Sequence, residues 1–372
     1  MASQVPLFSS KIANEGVDLA GALNRVVDSN WYVLGSEVAA FESEFAAYLG
    51  SKTCVSLANG TDALEIALRS LGIGPRKRVA LVANAGFYGS TAVHAVGGEP
   101  RYVDIDAATL TMSPAALRGA LVAGIDAIIV THLYGQMADI EAIAALAADF
   151  RVPLIEDCAQ SHGAMRDGVR AGSVGDIGCF SFYPTKNLGA IGDGGALVTN
   201  DAELGERARR LRQYGWSKKY HVTEAGGRNS RLDELQAAVL REKLPKLDGW
   251  NAQRRAIAAR YAAAFADLPV QLPALAASGN EYGNDYVAHL FVIRVQDRAA
   301  FVASMAAAGI ATDIHYPVPD HRQSAYTGSV NVSLPVTEAA AGTVVTLPCF
   351  PGLDDESVER VIAAVRGHFA GR

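Results

Sequence analysis

Apolar residues recur at helical spacing in the first part of the chain and then change rhythm. A short helical stretch precedes Trp31, the run Trp31-Tyr32-Val33-Leu34-Gly35 interrupts it, and helical periodicity resumes from 38 to about 49. A second helix is predicted over 61–71, where Leu64, Ala67, Leu68 and Leu71 share one face. From about Val79 short apolar runs alternate with helical stretches. Strands are predicted over 79–83, 99–103, 127–131 and 152–156, and helices over 90–96, 115–121 and 139–148. Strand–helix alternation of this kind predicts an α/β fold with a mostly parallel sheet flanked by helices. Ligands of such sheets sit beyond the carboxyl ends of the strands.

The Gly-rich stretch 176–200 reads differently, with short strands over 179–182 and 195–198. A helix over 203–214, a polar loop over 214–229 and a helix over 232–243 follow. The remainder carries helices over 252–265, 298–308 and 357–368 and a strand over 287–295, the pattern of a smaller α+β domain. The expected division is a large domain over 1–246, including the amino-terminal segment, and a small domain over 247–372.

Composition narrows the function. The 372 residues are 50% hydrophobic and 19% charged, enough for substantial cores. The net charge is −6 and no Lys/Arg stripe stands out, so nucleic acid is not an expected partner. A phosphate-bearing substrate then needs a local site, because the overall field does not attract anions. Cys54, Cys158, Cys179 and Cys349 are scattered without metal-ligand spacing and read as reduced thiols, with no metal site expected. The amino terminus lacks a basic start followed by an apolar stretch, and no apolar run reaches the ~18 residues of a membrane span. The expectation is a soluble cytoplasmic protein without a membrane partner.

Four segments carry candidate chemistry. Gly60 and Thr61 open a helix, where free N–H groups, a hydroxyl and the positive dipole end can cradle a phosphate or simply cap the helix. Asp157 follows a predicted strand, which puts its carboxylate on the ligand side of the sheet, where it pairs with a cationic ring nitrogen or caps the next turn. Lys186 lies in Ser181-Phe182-Tyr183-Pro184-Thr185-Lys186-Asn187-Leu188-Gly189. Aromatic neighbours and a tight backbone can desolvate an amine there, lowering its pKa and making it nucleophilic. Gly227 to Gln236 joins the polar loop to an amphipathic helix.

Together the runs EDCAQSHGA at 156–164, SFYPTKNLGAIGDGGALVTN at 181–200 and GGRNSRLDELQAAVL at 226–240 resemble the DegT/DnrJ/EryC1/StrS family. These are sugar aminotransferases of the aspartate-aminotransferase fold, fold type I of the enzymes that use pyridoxal 5'-phosphate (PLP), with a seven-stranded-type sheet. The resemblance runs from Trp31 to Pro348 and implies a role for each matching residue. Lys186 would attach the cofactor and shuttle protons, with the pyridoxamine form as intermediate. Asp157 would pair with the ring nitrogen, and Gln160 would lie near the phenolic oxygen. Gly60, Thr61 and Ser181 would bind the phosphate. Asn229 would reach the cofactor of a neighbouring subunit, implying a homodimer with shared sites. Phe87 would stack on the ring. Here the chain has Ala83-Asn84-Ala85-Gly86-Phe87-Tyr88 where the family often has a Pro-Ser-Phe-Thr-Phe-like run, which leaves Phe87 and Tyr88 both open for that role.

Lysine in place of the histidine of the family's dehydratase branch implies amine transfer from an amino acid, glutamate being the expected donor, to a nucleotide-diphosphate keto sugar. The stretches 214–221 and 313–321 resemble the subgroup that aminates carbon 3 of dTDP-3-keto-6-deoxyhexoses, with amination at carbon 4 as the alternative. Tyr183, His315, Tyr316 and His321 are the candidate substrate contacts. Two other classes fit less well. A nucleotide-binding oxidoreductase needs a Gly-x-Gly-x-x-Gly turn after an early strand, and Gly192-Asp193-Gly194-Gly195 lies between short strands instead. A non-catalytic regulator has no need of Asp157, Ser181 and Lys186 together.

Overall fold

The computed structural model describes residues 4–274, 282–326 and 332–370. Its nine strands up to residue 200 are β1 (Thr53–Leu57), β2 (Arg78–Val82), β3 (Glu99–Val103), β4 (Ala127–Thr131), β5 (Leu154–Asp157), β6 (Met165–Arg166), β7 (Val169–Arg170), β8 (Ile177–Ser181) and β9 (Gly195–Thr199). Seven of them form one sheet in the order β1-β9-β8-β5-β4-β2-β3. Strands β3, β2, β4, β5 and β8 pair in parallel, and β9 runs antiparallel to both β8 and β1.

Alternation along the strands explains the layers. Ala80 and Val82 of β2 and Ile128 and Val130 of β4 point into one core with Phe41, Phe45, Phe180 and Phe182. Val79, Leu81, Ala127 and Ile129 point into the other, against Leu64, Ile66 and Leu68 of the Gly60–Ser70 helix. A period of two buried on both faces is what a helix-covered sheet requires. A further core gathers Tyr261 and Phe265 of the Leu247–Phe265 helix, Phe301, Val361 and, from the amino-terminal segment, Val5. It is built on the antiparallel pair β12 (Phe291–Arg294) and β13 (Val344–Leu347). Between the two regions β10 (Trp216–Lys218) and β11 (His221–Val222) form a small hairpin inside the segment read from sequence as a loop.

Several elements differ from the sequence reading. Strand β1 lies in a segment for which no strand was predicted, because its TCVSL run is too short and mixed to declare itself. The expected strand over 287–295 shortens to β12: Ala288 takes a left-handed φ of 43° and the Val287 N–H donates to the Gly135 carbonyl, so 287–290 turns away from the sheet and toward the site. The Pro335–Thr343 helix and β13 also went unpredicted.

One long-range contact organises the helical side. The Ser36–Leu49 helix starts at Gly35, which has no capping side chain of its own. Glu234 supplies the cap instead, accepting from the N–H groups of Gly35 at 2.8 Å, Glu37 at 2.9 Å and Val38 at 3.0 Å. A carboxylate on these orphan donors satisfies them and meets the positive helix end.

Candidate active site

The strand ends come into line at one edge of the sheet. Thr131 of β4 pairs with Asp157 of β5, Asp157 with Cys179 of β8, and Ser181 with Gly195 of β9, which also pairs with Leu57 of β1. Asn59, two residues past β1, caps the Gly60–Ser70 helix by accepting from the Asp62 N–H at 2.8 Å. That leaves the first helical N–H groups facing Ser181. The approach is close: a Cβ on Gly60 would stand 2.6 Å from the Ser181 Cβ, and one on Gly195 would stand 2.3 Å from the Asn59 carbonyl oxygen. Only glycine fits at either position.

A cavity of about 950 Å³ opens above this edge. Gly60, Thr61, Asp157, Gln160, Ser181, Tyr183, Lys186, His315 and Tyr316, all singled out from sequence, line it. Three others do not. Phe87 turns its ring onto His94 and Tyr326, with centroids 6.1 and 5.0 Å away, and the neighbouring Tyr88 lines the cavity in its place. His321 is buried, with Nε2 on the Glu338 carboxylate at 2.9 Å, outside the cavity lining. Asn229 is exposed on the loop before the Glu234–Lys243 helix, outside its own chain's cavity.

The buried carboxylate and the amine face one another electrostatically. Asp157 is 5% exposed and accepts from the Ala159 N–H at 3.1 Å and the Thr131 hydroxyl at 3.2 Å. Burial pushes its pKa up, against the downward pull of the Ala159 bond, the Lys186 charge and the Thr131 bond. Burial pulls the Lys186 amine down to about 8, with Asp157 pulling it back up. The next residue anchors the lysine turn. Asn187 donates to the Asn251 side chain at 2.8 Å and to the Val287 carbonyl at 3.0 Å, and pairs with His289 Nδ1 at 3.0 Å. Burial, followed by the Lys186 charge, holds His289 well below the usual imidazole range.

Gln160 is pinned on both ends of its amide. Its oxygen accepts from the Tyr134 N–H at 2.7 Å, and its nitrogen donates to the Tyr316 hydroxyl at 3.1 Å. The Tyr134 hydroxyl donates to the His315 carbonyl. His315 Nδ1 pairs with the Thr346 hydroxyl at 2.7 Å, while Nε2 lies 3.8 Å from Asp313. Sequence reasoning missed Thr131, His289, Asp313 and Thr346, which no local motif announces. It also missed Arg228, which lines the cavity and whose guanidinium pairs with Glu65. The scattered cysteines hid one further grouping: His132, Glu156 and Cys158 are buried with ligand atoms within 4.8 Å of one another. Both His132 nitrogens are already engaged, Nδ1 by the Ala138 N–H at 3.1 Å and Nε2 by Glu156 at 2.9 Å.

A depressed lysine, a buried carboxylate and a glycine-bounded helix start at one sheet edge match a known family. Residues 14–366 fit the DegT/DnrJ/EryC1/StrS aminotransferase family. The chain belongs to this family. It is 45% identical, over 94% of both chains, to the dTDP-3-amino-3,6-dideoxy-alpha-D-galactopyranose transaminase of Aneurinibacillus thermoaerophilus. It is 41% identical to the UDP-N-acetyl-3-dehydro-alpha-D-glucosamine 3-aminotransferase of Acidithiobacillus ferrooxidans, over 94% of this chain and 93% of that one. Among solved structures it superposes on S. venezuelae DesV in complex with a ketimine intermediate with a TM-score of 0.93, at 43% identity over 98% of both chains. The chain is therefore a PLP-dependent aminotransferase, and the residues present fit that cofactor. The gap that a Cβ on Gly60 would close suits a phosphate, Asp157 suits a protonated ring nitrogen, and Lys186 suits an aldehyde. No helix among the described residues is long and apolar enough to cross a membrane.

Proposed function

We propose that the protein transfers an amino group from an amino acid, glutamate being the expected donor, to carbon 3 of a dTDP-linked 3-keto-6-deoxyhexose in the cytoplasm. The observation that carries the reading is the convergence of Lys186, Asp157 and the Gly60–Ser181 gap in one cavity. Carbon 3 is favoured over carbon 4 because relatives with either nucleotide, dTDP or UDP, are named for chemistry at carbon 3.

Bound PLP supplies an electron sink, most effective when its ring nitrogen is protonated. Asp157 holds that proton at the ring nitrogen, and Thr131 and Ala159 fix its carboxylate. The Gly60 and Thr61 N–H groups and the Ser181 hydroxyl bind the phosphate. The Gln160 amide, oriented by Tyr134 and Tyr316, faces the phenolic oxygen. Lys186 would hold the cofactor at its aldehyde and would serve as the general acid/base that carries the proton of the amine exchange. Its depressed pKa keeps a usable fraction neutral near pH 7. Tyr88 covers the ring in place of Phe87, and Tyr183, His315 and Tyr316 contact the sugar.

We read the functional unit as a homodimer. Asn229 is exposed, and so are the large side chains of Trp31 and Tyr32 and, in the 214–229 segment that carries Asn229, of Tyr214 and Tyr220. Aromatic exposure of this kind marks association surfaces. The chemical reading is tested by incubating purified protein with PLP, glutamate and either a dTDP-3-keto or a dTDP-4-keto hexose, with the product identified by mass spectrometry and NMR. An amine at carbon 3 is expected. Transfer only to the 4-keto sugar would shift the reading to carbon 4, and transfer to neither would remove it.

A further inference from the structure

Asp320 lies outside the cavity lining, yet it is 2% exposed and ties together the two segments that carry Tyr88 and Tyr316. Its own N–H donates to the Ala83 carbonyl at 2.7 Å, just beyond β2. Its carboxylate then bridges the turn that follows. Oδ1 accepts from the Phe87 N–H at 3.0 Å, and Oδ2 accepts from the Ser90 hydroxyl at 2.6 Å, which in turn contacts the Tyr102 hydroxyl at 3.0 Å. Ser90 sits in the first turn of the Tyr88–Ala95 helix.

Phe87 holds a left-handed φ of 70°, a conformation that a non-glycine residue keeps only where its surroundings offset the strain. That conformation sends the Phe87 ring out to His94 and Tyr326 and leaves Tyr88 facing the cavity. Tyr88 packs edge-on to Tyr316, ring centroids 6.3 Å apart, and Gly86 between them has no room for a Cβ, which would stand 2.9 Å from the Tyr316 ring. Tyr316 in turn orients Gln160.

We propose that Asp320 is a positioning residue for the transamination: by clamping the Phe87 turn it selects Tyr88 as the aromatic side chain over the cofactor ring and holds the Tyr88–Tyr316 pair in register with Gln160. The inference rests on the aminotransferase reading given above. Burial raises the Asp320 carboxyl to about 7, against the bonds from Ser90 and Phe87. The clamp does not depend on charge, because a neutral carboxyl still accepts from the Phe87 N–H and can donate to Ser90. Asparagine can do the same, whereas alanine can do neither.

The test is a double-mutant cycle on the PLP-loaded enzyme with the variants Asp320→Ala, Asp320→Asn, Tyr88→Ala and Asp320→Ala/Tyr88→Ala. Each is measured for kcat and KM with the keto sugar and for circular dichroism of the visible cofactor band. Asp320→Ala is expected to lower kcat/KM by ~10–100-fold, the scale of a misplaced active-site group, and to change the dichroic band while leaving cofactor content intact. Asp320→Asn should stay within about threefold of wild type, and in the Tyr88→Ala background Asp320→Ala should cost less than about twofold more. Independent, multiplying effects of Asp320→Ala and Tyr88→Ala would overturn the proposal. So would an Asp320→Asn variant as impaired as Asp320→Ala. The dichroic band separates this from failure of the broader reading: if wild type turned over no keto sugar, non-additive changes in that band across the cycle would still support the clamp, and additive ones would still refute it.

Discussion

The Lys186 amine combines two opposed effects, desolvation that removes its proton and an Asp157 charge that retains it, and desolvation is the larger. The consequence is a measurable pH dependence. Below about 8 the neutral amine falls roughly tenfold per pH unit, since protonation follows one titration. The rate at which cofactor-free protein takes up PLP, followed by stopped-flow absorbance, should rise with pH and level off above about 8; a rate independent of pH between about 6 and 9 would show that the amine is not perturbed in this way. The second residue-scale prediction concerns Gly60. Alanine there must displace the Ser181 side chain or tilt the helix start, because its Cβ would lie 2.6 Å from the Ser181 Cβ. Gly60→Ala should cost about 1–3 kcal/mol of cofactor affinity, roughly 5- to 150-fold in Kd, measured by equilibrium titration of PLP. Unchanged affinity would place the phosphate elsewhere.

At the scale of elements, periodicity read the repeated strand–helix units from β2 to β5 correctly, and failed on the strand expected over 287–295 and on the Pro335–Thr343 helix. The alternation from β2 to β5 was visible because β2 and β4 are buried along almost their whole length and the helices between the strands carry buried apolar stripes. What periodicity could not show was β1, a five-residue strand that owes its place to the antiparallel β9 beside it. Nor could it show who caps the Ser36–Leu49 helix, since the cap lies 199 residues away in sequence from Gly35. Glu234→Ala leaves three helix-end N–H groups without their acceptor, and a structural loss of about 1–3 kcal/mol is expected. Urea denaturation at matched cofactor saturation measures it, because bound cofactor itself shifts the midpoint. A midpoint equal to wild type would mean that water replaces the carboxylate at no cost.

At the scale of the molecule the active site has contributions from strand ends far apart in sequence and, in our reading, from a second chain. Asn229 does not line its own chain's cavity. Lys186→Ala and Asn229→Ala variants should each be impaired as homodimers. Mixed and allowed to exchange subunits, they form heterodimers in which one site carries Lys186 from one chain and Asn229 from the other. Random reassortment should then restore about a quarter of wild-type activity. Mixtures no more active than their components would confine the site to one chain.

By itself the sequence determined the class of fold and the family. Hydrophobic period sets which face of each strand or helix is buried, and the short runs that hold Lys186, Asp157 and Ser181 carry the family resemblance through local sequence alone. Tertiary structure decided what depends on side-chain direction and long-range bonding. It turned Phe87 outward and Tyr88 inward by placing Asp320, 233 residues further along, under the Phe87 N–H. It sent His321 to Glu338 while keeping His315 in the cavity, although both lie in one short run. Neighbouring residues of the same chemical type have no periodic signal to tell them apart; only the packed partners around each one do.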